Sequence, residues 1–568
     1  MKRHGFFLLM ALWALASAAP ASAHHVIWLD FGSFNLNSWA SVNGNTPPTA
    51  NDVASVRAQV VANMVRDYAL LDVYFSEFQP ANGRYTRVKI LGTNQGGLFG
   101  CAGPDCCPPG GTCSGIGTWN DMTVSTAEVY SGSFATDGNF SGANATTARI
   151  ANGISHTASH ELGHILDLSH CNAADDSVTL GCSSITSDTD DQNVNWHVMA
   201  SGSSWGLSMS QRATRDRFFS IHASRRILAG NFQLASHWNS LPNVNAGAGW
   251  ADILYGRPLS PSTTTWYGRK SNGSSFGSYT TWRSDAGDAG DIFLTGDVNN
   301  DDRADLVYGR LLSATQMAWY VRLSSGAAFG NYTTWVSDAG DAGDIFRLAD
   351  VNADGRDDLV YGRPLTSTTV RWYVRLSTGS SFGPYTTWST DAGDIGDIFL
   401  IDDVDVDGDA DLVYGRLVSP TQMKWYARKS NGSSFGGFSV WREDAGDDGD
   451  LFFLGDSGGD GDADLLYGRT VSDFQVRWYY RPSLGNVFGD LQTWSDDAGD
   501  AGDVFRLGDG DGDGRLDLFY ARPLGMTSLT AVPNLSLVRW YGRLSLGGSF
   551  GGYTTWATDA GDEGDIIP

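Results

Sequence analysis

The sequence predicts two domains of different class: an α+β domain over residues 24–230 and an all-β ring of repeated units over residues 231–568. Three observations carry this. Asp297, Asp350, Asp403, Asp456 and Asp509 recur at 53-residue intervals, a period that belongs to stacked supersecondary units. The charge balance breaks near residue 230, with 13 Lys+Arg against 17 Asp+Glu before it and 25 against 47 after it, net −4 and −22. Before the break, strand-like and helix-like apolar spacings follow one another.

In chain order, Met1 to Ala23 reads as a secretory signal. Lys2 and Arg3 precede the apolar run Phe6 to Ala16, and Ala21-Ser22-Ala23 suits a cleavage site. The mature chain is expected to start near His24, secreted and extracellular, with no later apolar run of about 18 residues to span a membrane. Val26 to Phe31 reads as a strand. Asn51 opens an amphipathic helix to about Tyr68, with Val53, Val56, Val60, Val61 and Met64 on one side. Asp72 to Phe78 and Thr86 to Leu91 read as strands, residues 97–116 as a Gly/Cys/Pro-rich insertion, and Thr123 to Tyr130 as an edge strand beside a cleft. A helix from about Ala148 to Leu166 follows. Cys101, Cys106, Cys107, Cys113, Cys171 and Cys182 all precede residue 183; in an exported chain they suggest disulfides, for which 15 pairings exist.

That last helix carries His160-Glu161-Leu162-Gly163-His164, followed by Asp167 and His170. One helical turn separates His160 from His164, so both reach one metal, and Glu161 flanks them. His170 joins only where the helix ends and the chain turns back. The pattern resembles the metzincin zinc endopeptidases, H-E-x-x-H-x-x-G-x-x-H with a Met-turn beyond it. The resemblance implies a metzincin-like catalytic domain with one Zn²⁺ on His160, His164 and His170. It implies Glu161 as the base that takes the proton of a zinc-bound water, and Met199 as the Met-turn, with Met209 the weaker choice. Asp167 stands where the family has glycine. The next glutamate after Glu161 is Glu443, so a Glu third ligand is poor, while Asp175, Asp176, Asp188, Asp190 and Asp191 leave an Asp ligand open. His156 reads as a supporting or packing residue, and His197 as a structural hydrogen-bonding one. No folded pro-domain fits between Ala23 and the first strand.

Each repeat then brings an acidic loop: Asp297/Asn299/Asp301/Asp305, Asp350/Asn352/Asp354/Asp358, Asp403/Asp405/Asp407/Asp411, Asp456/Asp460/Asp464 and Asp509/Asp511/Asp513/Asp517. Alternating oxygens on a tight loop suit Ca²⁺. An EF-hand is excluded because no Glu follows at the twelfth position. The first copy, Val244 to Asp252, lacks the early acids and should bind no metal; the fourth, with Gly458, should bind weakly. Every unit also has a Trp-Tyr pair, a second Trp and an Asp-Ala-Gly-Asp-x-Gly-Asp loop. These units resemble FG-GAP or VCBS-type repeats, which implies a β-propeller of six blades, with seven as the alternative. Gly564 to Ile567 repeats the start of the next unit and should close the ring. The tryptophans read first as blade core, and alternatively, with the Asp-Ala-Gly-Asp loops, as a glycan- or protein-binding face.

The leading expectation is therefore a secreted, monomeric zinc endopeptidase acting on protein or peptide, its calcium-stabilised propeller docking substrate, cell surface or glycan. The alternative is a calcium-dependent adhesin or lectin-like protein whose N-terminal domain is a degenerate protease. The acidity excludes nucleic acid as a partner.

Overall fold

The computed structural model describes residues 25–68, 73–80, 85–95, 100–102, 126–165, 241–244, 250–260, 262–288, 290–472, 474–500, 503–523, 538–561 and 565–567. The N-terminal part is one five-stranded sheet with two α-helices on it. Strands β1 (His25–Asp30), β2 (Val73–Ser76), β3 (Tyr85–Leu91), β4 (Gly100–Ala102) and β5 (Thr126–Tyr130) lie in the order β2-β1-β3-β5-β4. All neighbours run parallel except β4, which is antiparallel to β5. The strand read as the edge, β5, is therefore internal. The edge is β4, three residues from the segment read as an insertion and too short to show periodicity.

Helix α1 (Ala50–Asp67) starts where Thr49 and Asp52 cap each other. Asp52 N–H donates to Thr49 Oγ1 at 3.2 Å, and Thr49 N–H donates to Asp52 Oδ2 at 2.8 Å. Its Val56, Val60, Val61 and Met64 are buried. Helix α2 (Thr147–Ile165) packs on α1, held by Asn63 Nδ2 donating to Ser155 Oγ at 2.9 Å and Tyr68 OH to the Ser159 carbonyl at 2.7 Å.

The C-terminal part is a six-bladed propeller. Blade 2 runs from Ile292–Gly296 near the axis through Asp305–Ser313 and Gln316–Arg322 to Thr333–Val336 outside, all antiparallel, and blades 3 to 6 repeat it. The first strands of blades 2 to 5 touch in succession, which places them around the axis. Blade 1 has three strands of its own, and Ile566 supplies the fourth. Gly256 and Ile566 exchange two backbone hydrogen bonds of 2.7 Å. The ring thus closes on its C-terminal residues, as the repeat pattern predicts.

The repeated motifs are devices of this closure. Trp266, Trp319, Trp372, Trp425, Trp478 and Trp540 are fully buried. Each indole N–H donates at 2.8–2.9 Å to the carbonyl of the Ala in the Asp-Ala-Gly-Asp loop. The Gly that follows has a left-handed φ, +89° at Gly287 and +99° at Gly340, and a Cβ there would collide with the next Phe ring, Phe293 or Phe346. The loop's last Asp takes a two-pronged grip from the Arg of Tyr-Gly-Arg, Arg310 on Asp291 at 3.0 and 2.7 Å. That grip recurs in all six blades, with Arg257 on Asp565 closing the set. The second Trp of each unit is also buried and packs on a Phe of the following blade, from Trp282 on Phe329 to Trp556 on Phe276. The alternative reading of the tryptophans as a binding face is therefore corrected: indoles and last carboxylates are consumed in the core, while the first aspartate of each loop, Asp285 to Asp559, stays exposed.

Candidate functional sites: the acidic loops and the histidine helix

Each acidic loop joins the two innermost strands of a blade. Its first aspartate folds the loop onto itself. Asp350 accepts from the backbone N–H groups of Asn352 at 3.3 Å, Asp354 at 3.1 Å and Gly355 at 2.7 Å, and Asp297, Asp403, Asp456 and Asp509 repeat the arrangement. The backbone passes through the left-handed region twice per loop, at Ala353 (+55°) and Gly355 (+81°), or at Val406 (+62°) and Gly408 (+89°). Val406 is branched, exposed and strained there. Val406→Gly is expected to stabilise the chain by about 1 kcal/mol, read as a higher urea midpoint at unchanged slope; a lower midpoint refutes the strain.

The last aspartate is the buried one. Asp305, Asp358, Asp411, Asp464 and Asp517 are fully buried. One oxygen of each accepts a serine N–H from the same blade, such as Ser377 to Asp358 at 2.6 Å. That serine's hydroxyl donates to a carbonyl in the preceding blade's loop, Ser377 Oγ to Val298 O at 2.6 Å, and Ser271 Oγ to Gly510 O at 3.0 Å closes this circle. The acids therefore lie at blade junctions. The second oxygens of Asp305, Asp358 and Asp411 are buried without a well-formed hydrogen bond, approached only weakly by the backbone N–H of Val298, Val351 and Val404, a costly arrangement for a carboxylate that a cation would relieve. Burial, reinforced by the neighbouring acids, pushes these three carboxyls up to about 8, and Asp464 and Asp517 to about 7. In the first copy Asp252 has both oxygens engaged, by Ser271 N–H at 2.7 Å and Val244 N–H at 3.2 Å, so no orphan remains.

Three loops bring three carboxylates within 4.8 Å of one another: Asp403/Asp405/Asp411, Asp456/Asp460/Asp464 and Asp509/Asp511/Asp517. Asp407 stands outside its group, and Asp513 is held by Arg515. In the first two loops Arg303 draws Asp301 aside at 2.5 Å and Arg356 draws Asp354 aside at 2.6 Å, while Asn299 and Asn352 donate to the same carboxylates. The fourth loop is not short of acid. Asp462, which motif reading missed, is buried there and pushed up to about 6 by burial and Asp460. Gly458 stands in that loop because a Cβ would lie 2.6 Å from the Tyr480 hydroxyl, which bonds Asp464.

On α2, His160 is buried and Glu161 half-exposed. The edge strand lies against Thr157 and Glu161: a Cβ at Gly100 would come within 2.6 Å of Thr157 Cγ2 and 2.8 Å of Glu161 Cγ and Oε1, so only glycine lets β4 approach this closely. Tyr130, buried nearby on β5, is pushed up to about 12 by burial, then by its bond to Glu128 and by the charges of Glu128 and Glu161. The helix backbone places His164 one turn beyond His160. His156 is fully buried on the same helix, in keeping with a packing role. The side chain of His164, and Asp167, His170, His197, Met199, Met209, the cysteine side chains and the leader, lie outside the described residues. No helix among the described residues is long and apolar enough to cross a membrane.

No family model matches the chain, and no curated protein does. Solved structures similar to it include a fungal lectin of Aleuria aurantia, described as a six-bladed β-propeller with a novel fucose recognition mode, at 11% identity and TM-score 0.31, over 55% of this chain and 97% of that one. AofleA from Arthrobotrys oligospora matches at 7% identity and TM-score 0.32, over 57% and 89%. An uncharacterized protein of Listeria monocytogenes matches at 10% identity and TM-score 0.30, over 58% and 86%.

Proposed function

We propose that this chain is an exported, calcium-dependent binding protein of adhesin or lectin-like kind, with the six-bladed propeller as its binding body. The observation that carries the reading is the circle of acidic loops at blade junctions, three of them holding a fully buried carboxylate oxygen without a well-formed hydrogen bond. Ca²⁺ suits such oxygen-only loops. The leader at Lys2 to Ala23 supports export, and the surplus of 47 acids over 25 bases after residue 230 supports cations over polyanions as partners. Titration of Ca²⁺ into the chelator-treated chain is expected to reveal three to five sites, roughly one per acidic loop. Retention of the chain on microbial cell walls is expected to be lost in EGTA and restored by Ca²⁺ but not Mg²⁺. Equal retention with and without Ca²⁺ overturns the reading.

A second reading rests on a separate observation, a buried His160 on α2 followed by a half-exposed Glu161 that packs against the edge strand. In this reading the N-terminal domain is a zinc endopeptidase. Zn²⁺ bound by His160, His164 and His170 would polarise the scissile carbonyl, and Glu161 would hold the proton released in hydrolysis. Glu161→Gln is expected to keep zinc and lose at least about 100-fold in turnover on an unfolded protein; unchanged turnover removes this reading.

A further inference from the structure

We propose that five of the six blades each present a stacking site for a neutral sugar ring, built on an exposed aromatic at the outer rim. This rests on the binding role above and names its ligand class. On blade 2, Tyr308 and Tyr320 are stacked with centroids 5.2 Å apart, and Tyr332 meets Tyr320 edge-on at 5.5 Å. The ladder recurs on four other blades, ending in Tyr279, Tyr385, Phe438 and Tyr553. The inner rings are covered, but the last is not: Tyr279, Tyr332, Tyr385, Phe438 and Tyr553 are 55–61% exposed. Blade 5 has the ladder's first two rings, Tyr467 and Tyr479, and then Leu491.

These exposed rings are held in place. A guanidinium lies over each, Arg322 at 5.3 Å from the Tyr332 centroid and Arg269, Arg375, Arg428 and Arg543 at 5.5–5.7 Å from theirs. That guanidinium is anchored in turn. Arg322 donates to the Gly330 carbonyl at 3.0 Å and to the Asp285 carbonyl of the preceding blade at 2.9 Å, and Arg375 and Arg428 do the same. A ring fixed in this way loses little freedom when a ligand covers its other face.

The ligand class follows from what surrounds the rings. Each arginine is committed to backbone carbonyls and the domain is strongly acidic, so sulfated, phosphorylated or carboxylated ligands are disfavoured. The rings stand one per blade, each the last member of its own ladder, so a ligand meets each as a single aromatic face. An exposed threonine two residues on flanks four of the rings, Thr334 for Tyr332, while Val440 takes that place beside Phe438; the nearer hydroxyl, Thr333, accepts from the Trp335 indole N–H at 3.0 Å. An uncharged pyranose matches both features: its C–H face packs on the negative face of an aromatic ring, and its hydroxyls meet the exposed threonine on four of the five blades. Five weak sites on one rigid ring give avidity for a repeating surface glycan.

The test uses the full chain in Ca²⁺ and beads bearing fucose, mannose, galactose, glucose or N-acetylglucosamine, with sulfated dextran and gelatin beads as controls. Retention on at least one neutral-sugar bead, eluted by the free sugar, is expected. Combining Tyr279→Ser, Tyr332→Ser, Tyr385→Ser, Phe438→Ser and Tyr553→Ser should weaken apparent affinity at least about 100-fold with little change in melting temperature. Should that variant fail to fold, Tyr385→Ser alone is expected to weaken retention severalfold, and Leu491→Tyr to strengthen it by adding a sixth ring. Retention unchanged in all these variants, no retention on any neutral sugar, or retention only on gelatin or sulfated dextran overturns the proposal. Calcium-dependent cell-wall retention that survives the fivefold change sinks this site and leaves the binding role standing. Sugar retention indifferent to Ca²⁺ does the reverse.

Discussion

Removing calcium from the whole chain is expected to lower its melting temperature by about 10 °C or more, and most strongly at pH 8 and above. Each ion bound at a hundredfold excess over Kd stabilises the folded state by about 2.7 kcal/mol. Each kcal/mol moves the melting temperature of a domain of a few hundred residues by about 2–4 °C. The three loops with buried orphan oxygens, ending in Asp305, Asp358 and Asp411, are enough to pass that mark. The loops lie where successive blades bond, as Asp357 N–H does to Asp297 O at 2.8 Å, so an ion bound there braces the ring itself.

The pH dependence has a definite sign. Burial pushes the carboxyls of Asp305, Asp358 and Asp411 up to about 8, far above the value near 4 of an unfolded chain. Without a cation the folded state prefers them protonated. Their contribution is then fully present below about pH 4 and lost as pH rises to about 8. With Ca²⁺ bound they stay ionised and that loss disappears. The gap between melting temperatures with Ca²⁺ and with EGTA should widen from pH 5 to pH 8. Asp358→Asn keeps an acceptor for Ser377 N–H but removes the charge, so it should narrow the gap. A gap of constant width, or none, contradicts the cation site.

The six blades and their closure are legible in the sequence because each unit carries its own complete kit. The buried Trp, the Ala that accepts its N–H and the Gly that clears the next Phe sit at fixed offsets. Ile566 repeats the first residue of an inner strand, and so reveals the missing strand of blade 1. The facing of the aromatics was less legible. Stacked blades bury both faces of a strand, so period-2 alternation no longer separates core from surface. The exposed rings at Tyr332 and its counterparts lie three residues before a buried Trp, in a stretch without alternation. The fate of the Asp-Ala-Gly-Asp acids was recoverable, since the last Asp and its Arg partner are 19 residues apart in five blades. In the N-terminal domain the pairing of His160 with Glu161 needs only helical spacing. The edge strand over Glu161 depends on Gly100, a contact that no local pattern announces.

Deleting residues 565–568 is expected to destabilise the propeller by more than about 5 kcal/mol and to split the propeller's unfolding transition in two. Five hydrogen bonds, made by three residues, fail at once. Arg257 loses both prongs of its grip on Asp565, at 3.0 and 2.9 Å, in a pair whose acid is 3% exposed. Breaking such a pair by removing one partner costs about 3–5 kcal/mol, because the other charge is stranded. Gly256 loses its backbone exchange with Ile566, and the fully buried Arg506 loses the Ile567 carbonyl that its Nη2 reaches at 2.9 Å. The wider effect is topological. In a closed ring every blade is held on two sides, whereas an opened ring is a linear array whose ends fray first. Asp397→Ala separates the two effects, since it breaks the equivalent grip on Arg416 within blade 4 and leaves the closure intact. It should cost less, about 1.5–3 kcal/mol, because Arg416 keeps Asp394 at 2.8 Å, and should leave the propeller unfolding in one step. Hydrogen exchange at the Gly256 amide should approach the rate of a fraying strand in the truncated chain and stay slow in Asp397→Ala. Equal urea midpoints for the truncated and full chains would mean that Ile566 does not close the ring.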